Sequence, residues 1–216
     1  RKPAMPLTAT QVAVVEDDSG MRERIARVIG ADPALALAFS ASNAVDILNW
    51  LTDNPVDVLL VDLGLPDHPG LQVIRQCRRM QPACAVMVLT IFGDETHMVQ
   101  AFEAGARGYL LKDGTEADLA AHLRHLGTGG SPLPPGIARQ LLRRWQASDG
   151  APGHLSSREA EVLDRVSRGF TYAEIGAQMG VSASTVQTHI RNIYGKLDAP
   201  PPSDAVLATR PPGRLS

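Results

Sequence analysis

The sequence predicts two units of different class: a doubly wound α/β domain with a five-stranded parallel sheet, then an all-α domain of short helices. Three observations point there. The first half alternates short apolar runs with helical patterns, the middle is rich in proline and glycine, and only helical periodicity follows. The 216 residues suit one or two domains of ~100–200 residues each. With 44% hydrophobic and 20% charged residues the composition is that of a globular chain, which excludes a disordered or fibrous one. Aromatic content is only 4%, so Val, Leu, Ile, Ala and Met must build the core.

Strands are expected at Val12–Val15, Leu35–Phe39, Val56–Val61, Ala85–Leu89 and Gly108–Leu111. Helices are expected between and after them at Gly20–Ile29, Asn43–Leu51, Leu71–Met80, Glu95–Ala104 and Glu116–Leu126. The runs VAVV, VDVLLV and AVMVL are nearly continuous rather than alternating. Strands covered by helices on both faces read that way, as in a parallel sheet. In such open sheets ligands bind at the carboxyl ends of the strands, at a topological switch point.

The residues just past each strand are therefore the ones to inspect. Glu16-Asp17-Asp18 follows the first strand, Asp62 the third, Thr90 the fourth and Lys112 the fifth. Clustered carboxylates repel one another unless a cation sits among them, and oxygen ligands with room for water suit Mg²⁺. An Asp beside such an ion can attack phosphorus, while a Lys and a hydroxyl neutralise and orient the phosphoryl oxygens. Acidic residues also favour helix N-termini, where the dipole welcomes them. That explains any one of these Asp residues, but not the whole set on one sheet edge. An Asp-nucleophile phosphotransferase or phosphatase would want a second acid two residues past the nucleophile, where Gly64 stands.

The net charge of −2 conceals an uneven distribution. Residues 1–126 carry 11 Lys and Arg against 16 Asp and Glu, a balance of −5. Residues 127–152 carry 3 against 1 and residues 153–216 carry 7 against 6. An acidic half joined to a slightly basic one suggests different partners. Domain boundaries are expected at residues 10–126, 127–153 (a linker with a short helix, Ile137–Trp145) and 154–210. In the last segment helices are expected at Ser157–Arg168, Tyr172–Met179, Ser184–Leu197 and Ser203–Ala208. Ile175 and Met179 share a helix face, Gly180-Val181-Ser182 makes a tight turn, and Val186, Ile190, Ile193 and Leu197 form a second apolar stripe. Two short helices about a Gly-containing turn form a helix-turn-helix, which presents its second helix to the major groove.

Val14-Val15-Glu16-Asp17-Asp18, Val61-Asp62-Leu63-Gly64-Leu65-Pro66 with Gly70, Leu89-Thr90 and Gly108-Tyr109-Leu110-Leu111-Lys112-Asp113 resemble the receiver domain of bacterial response regulators, a flavodoxin-like fold. The resemblance implies Asp62 as phosphoacceptor. It implies Mg²⁺ on Glu16, Asp17, Asp62 and the Gly64 backbone carbonyl, Thr90 and Lys112 on the phosphoryl group, and Tyr109 as the aromatic switch. Leu155 through Leu163, Gly169 through Ser182 and Thr185 through Leu197 are similar to the LuxR-type DNA-binding domain. Together the two are similar to the NarL/FixJ family of response regulators. That resemblance implies a cytoplasmic transcriptional regulator, with a sensor histidine kinase and double-stranded promoter DNA as partners. A homodimer when phosphorylated and slow autodephosphorylation, but no enzymatic function of its own, are implied as well. By position, Gln187, Thr188 and Arg191 would face base edges, with Ser184, Thr185 and Lys196 near phosphates. Glu159 and Glu174 are expected to cap or pair within the helical domain.

Several residues depart from the family pattern. Asp113 stands where many receivers carry a cis-proline, so the peptide bond there is expected to be trans or strained. Gly64 places no side chain over the phosphoryl site, so hydrolysis is expected at an unremarkable rate. Ser184 and Gln187 stand where relatives commonly have Lys, and Pro200–Pro202 precede the last helix. A monomer then neutralises only ~2–4 phosphates and binds DNA weakly unless two copies act together. The alternative is an adaptor whose helix-turn-helix makes protein contacts instead. No apolar run approaches the ~18 residues of a membrane span, and no signal-peptide pattern opens the sequence. Cys77 and Cys84 lack a CxxC spacing, which suits a reducing compartment.

Overall fold

The computed structural model describes residues 9–130, 133–146 and 155–198. They form two compact units that divide between Leu133 and Pro134, each described by itself. In the first unit strands and helices alternate: β1 (Thr10–Val15), α1 (Ser19–Gly30), β2 (Leu35–Ala41), α2 (Ala44–Leu51), β3 (Val58–Val61), α3 (Gly70–Met80), β4 (Ala85–Thr90), α4 (Glu95–Ala104), β5 (Gly108–Leu111) and α5 (Glu116–Gly127). All strand pairs are parallel, in the order β2-β1-β3-β4-β5. The chain moves outward from β1 to β2, then returns across β1 to β3. The switch point lies between β1 and β3, where a ligand site is expected.

Alternation along each strand explains why its sequence reads as a continuous apolar run. Val12 and Val14 of β1, Val58 and Leu60 of β3, and Met87 and Leu89 of β4 pack with Ile25, Val28 and Ile29 of α1 and Leu119, Leu123 and Leu126 of α5. Ala13, Val15, Leu59, Val61, Val86 and Val88 point the other way, into a core with α2, α3 and Ala101 and Ala104 of α4. Each large aliphatic side chain buried this way contributes ~1.5–3 kcal/mol. Edge strand β2 runs two residues further than its apolar pattern, to Ala41, and its register shifts opposite Val12 and Ala13. Asp18, Asn43, Asp94 and Thr115 cap the N-termini of α1, α2, α4 and α5. Helix α3 has Pro69 at that position and no side-chain cap. A Cβ on Gly70 would lie 2.3 Å from the Asp62 carbonyl oxygen, so only glycine lets α3 begin this close to β3.

The second unit comprises α6 (Pro135–Gln146), α7 (Ser157–Ser167), α8 (Tyr172–Met179) and α9 (Ala183–Asp198) among the described residues. Helix α6, expected inside the linker, packs on α7 and buries Ile137, Ala138 and Leu141. Arg139 ties the pair together by donating to the Ser167 carbonyl at 2.9 Å. Capping boxes open α7 (Ser156 with Glu159) and α8 (Thr171 with Glu174). Gly180, at φ +68°, ends α8 in the left-handed conformation. Val186, Ile190, Ile193 and Tyr194 form the buried stripe of α9. The expected helix Ser203–Ala208, Pro200–Pro202 and the Leu197 side chain lie outside the described residues. No helix among the described residues is long and apolar enough to cross a membrane.

Candidate functional site

The carboxyl ends of β1 and β3 bring Glu16, Asp17 and Asp62 together, with one oxygen from each lying within 4.8 Å of the others. Glu16 and Asp62 are buried, while Asp17 is exposed. Into this cluster β5 delivers Lys112, whose Nζ donates to Glu16 Oε1 at 2.9 Å and to Asp62 Oδ2 at 3.0 Å. Burial pushes the Glu16 carboxyl above its ordinary pKa, and the neighbouring Asp62 charge adds to that, against the pull of Lys112. Burial works against the Lys112 ammonium too, but its bonds to the two carboxylates outweigh this and hold its pKa up.

Glu16 Oε2 is buried with no directed hydrogen bond, although the Lys112 ammonium is 2.8 Å away. A buried carboxylate oxygen left this way, beside two further carboxylates, fits a hard divalent cation such as Mg²⁺. Gly64 lies close by: a Cβ there would be 3.7 Å from Asp62 Oδ2, an ordinary contact distance, so nothing crowds the carboxylate from that side. Asp18, third in the acidic run, turns away to cap α1, its Oδ1 accepting from the Met21 N–H at 2.6 Å.

Thr90 ends β4 fully buried, and its Oγ1 accepts from the Phe92 N–H at 3.3 Å. Tyr109 of β5 donates its phenol to the Phe92 carbonyl at 2.5 Å. Burial, and secondarily the Asp94 charge, pushes that phenol up to about 12. Phe92 in turn stacks on His97 of α4, with ring centroids 4.6 Å apart. No peptide bond among the described residues is cis, so the one joining Lys112 to Asp113 is trans.

Three positioning contacts escape a sequence reading. Arg22 donates to the carbonyls of Glu16 (2.6 Å) and Asp17 (2.7 Å). Arg24 donates to the carbonyls of Lys112 (3.0 Å) and Gly114 (2.7 Å). Asp67 accepts from the first two N–H groups of α2, Ala44 and Val45, each at 2.9 Å, and those bonds hold its carboxyl below the usual range. Arg22 and Arg24 look like solvated cations of an amphipathic helix, and Asp67 like an ordinary turn residue.

In the second unit Ser182 heads α9, its Oγ accepting from the Thr185 N–H at 3.1 Å. Ser184, Thr188 and Arg191 are exposed along one face, and Thr185 and Gln187 are half-buried beside it. Arg191 donates to Thr188 Oγ1 at 3.1 Å. Lys196, expected near phosphates, pairs its Nζ with buried Glu159 at 2.5 Å. Burial raises the Glu159 pKa, but Lys196 and the Ser156 bonds prevail and hold it below the ordinary value. Arg158 and Arg165 pair with Glu161, and Arg168 with Asp164.

Comparison with known proteins covers both units. The family profile described as the response regulator receiver domain matches residues 12–124, and that of the bacterial regulatory proteins of the luxR family matches residues 153–209. The chain is 30% identical over 199 residues to the transcriptional regulatory protein UhpA of Escherichia coli, covering 92% of this chain and 96% of that one. It is 31% identical over 191 residues to LiaR of Bacillus subtilis, covering 87% and 90%. Among solved structures, a LuxR-family response regulator from Aurantimonas matches with a TM-score of 0.57 at 25% identity, covering 65% of this chain and all of that one. RcsB of Salmonella typhimurium matches in fold with a TM-score of 0.55 at 22% identity, covering 89% and 93%.

Proposed function

The chain belongs to the bacterial response regulators of the NarL/FixJ family, and from that premise we propose that phosphorylation of Asp62 by a sensor histidine kinase controls its binding to promoter DNA. The observation that carries the proposal is the Lys112 ammonium held between Glu16 and Asp62 at 2.9 and 3.0 Å.

The Asp62 carboxylate attacks phosphorus, the bond from phosphorus to the donor nitrogen breaks, and an acyl phosphate forms. Lys112, already within hydrogen-bond reach of Asp62, moves its charge onto the phosphoryl oxygens as they approach. Glu16, Asp17 and Asp62, with the Gly64 carbonyl, would hold Mg²⁺, which supplies further charge neutralisation when bound. Water entering past Gly64 attacks the phosphorus, the bond from phosphorus to the Asp62 oxygen breaks, and inorganic phosphate leaves as the carboxylate is restored. The added charge of about −1.5 to −2 draws the Thr90 hydroxyl toward the phosphoryl group. Thr90 then releases the Phe92 N–H, and Tyr109 turns into the vacated space.

On the DNA side, Gln187, Thr188 and Arg191 face base edges, with Ser184 and Thr185 at the phosphates. Gln187 can pair bidentately with adenine, at ~1–3 kcal/mol of discrimination. Two copies would engage half-sites ~34–36 Å apart. A cytoplasmic location belongs to the same proposal. The adaptor alternative is less favoured, because the luxR-family match runs through the whole of α9. The test is DNA binding with and without acetyl phosphate. Wild type should respond, and Asp62→Asn should not; an equal response in the variant would overturn the proposal.

A further inference from the structure

We propose that Arg24 is a positioning residue for phosphoryl transfer, setting where the Lys112 ammonium sits by clamping the backbone of the loop that carries it. The proposal rests on the reading of Lys112 as the cation of the phosphoryl site.

Lys112 must reach from the end of β5 to two carboxylates at the ends of β1 and β3, and its backbone starts a turn as soon as the strand stops. Its own N–H is fixed by the Thr90 carbonyl at 2.9 Å, and Gly114 N–H closes the turn on the Leu111 carbonyl at 3.0 Å. Gly114, beyond that one bond, adds conformational freedom to the turn. The remaining control comes from a separate element. Arg24 of α1 spans the turn, with Nη1 on the Lys112 carbonyl at 3.0 Å and Nη2 on the Gly114 carbonyl at 2.7 Å.

Two donors of one rigid guanidinium fix both the position and the tilt of the turn, which a single point charge could not do. Glu116, at the start of α5, lies 3.6 Å from Arg24 Nε and orients the fork from the far side. Arg24 is partly covered, with 29% of its side chain exposed, so water competes with these bonds less than at a free surface. Arg24 thus acts only through Lys112: it fixes the backbone from which that side chain extends and touches neither Glu16 nor Asp62 in the contacts described above.

The test uses the full chain and its small number of lysines. Only Lys2, Lys112 and Lys196 occur in the sequence, so ¹³C-lysine labelling gives three ε-methylene NMR signals, assigned with Lys112→Met. Metal-free Arg24→Met should move the Lys112 signal toward that of a solvated lysine and leave those of Lys2 and Lys196 in place. With Mg²⁺ and acetyl phosphate, it should slow labelling of Asp62 about 10- to 100-fold, the range for loss of a supporting contact. In the Lys112→Met background, Arg24→Met should slow the reaction no further. An unmoved Lys112 signal, or the same slowing with Lys112 already removed, would overturn the proposal. Arg24→Gln, which reaches one carbonyl, should fall between wild type and Arg24→Met; if Arg24→Met fails to fold, the same criteria apply to it. If wild type takes no label on Asp62, the phosphorylation reading fails, and the NMR signal still decides whether Arg24 places Lys112.

Discussion

Tyr109 donates its phenolic hydrogen to the carbonyl of Phe92 at 2.5 Å. The N–H of the same Phe92 is held by Thr90 at 3.3 Å. Thr90 and Tyr109, the two residues of the proposed switch, therefore grip opposite polar groups of Phe92. In the proposed switch, a change at Thr90 would reach Tyr109 through the Phe92 backbone that both hold, and the Phe92 ring stacks on His97 near the start of α4.

Loss of the phenol should loosen that segment. One neutral hydrogen bond contributes about 1 kcal/mol, so Tyr109→Phe should raise amide exchange across residues 91–94 about fivefold. Labelling of Asp62 should stay within about twofold of wild type, because Tyr109 touches no reacting atom. Exchange in the unphosphorylated protein checks this.

Gly70 and Gly64 should respond differently to a side chain. At Gly70 a Cβ meets the Asp62 carbonyl at 2.3 Å and Leu63 Cα at 2.6 Å, backbone atoms that cannot swing aside. Gly70→Ala should cost about 1–3 kcal/mol in thermal or urea unfolding of the first unit. At Gly64 the nearest atom is 3.7 Å away. Gly64→Leu should fold normally and shield the acyl phosphate, lengthening its lifetime about tenfold, or 1.4 kcal/mol of barrier.

Mg²⁺ should stabilise the first unit through Glu16. That carboxyl has a raised pKa, so its contribution to stability is fully present below the unfolded value of about 4.3 and is lost as pH rises through the folded one. A divalent cation offsets the loss. At neutral pH, Mg²⁺ at 100 times its Kd should add about 2.7 kcal/mol, removed by chelator and absent in Glu16→Gln. Thermal melts with and without EDTA measure it.

Glu159 in the second unit should contribute with a pH dependence opposite to that of Glu16. Glu159 has a lowered pKa, so its contribution is present above about 4.3 and is lost as pH falls through the folded value. Glu159→Gln should cost about 1–3 kcal/mol at pH 7 and flatten the acid limb of the stability curve.

DNA affinity should fall only gently with salt, because few phosphates are neutralised per monomer. Arg191 is the exposed cation of α9, since Lys196 is paired with Glu159. Arg191→Ala should lower the log–log salt slope by about 1, whereas Lys196→Ala should mainly destabilise the bundle.

Much of this was legible in the sequence, and the exceptions have physical causes. The continuous runs of β1, β3 and β4 reported a two-faced sheet because alternate residues enter two separate cores. Strand ends placed Glu16, Asp62, Thr90 and Lys112 on one edge, since parallel strands all terminate there. Arg22, Arg24 and Asp67 were silent because they act through backbone carbonyls and N–H groups of distant segments, which no residue pattern marks. The Pro- and Gly-rich flanks of α6 read as a linker, while burial of its apolar stripe, Ile137, Ala138 and Leu141, against α7 is a tertiary contact that those flanks do not mark. Lys196 followed the helical face pattern but is neutralised by Glu159, 37 residues earlier, a pairing that spacing on one helix cannot show.

The most direct measurement is the chemical identity of the modified residue. Protein treated with acetyl phosphate and Mg²⁺ is trapped with borohydride, which reduces an acyl phosphate, and mapped by peptide mass spectrometry. The account predicts a single reduced side chain at Asp62, lost in Asp62→Asn and strongly diminished in Lys112→Met. Modification at another residue, or equal modification of Asp62→Asn, would contradict it.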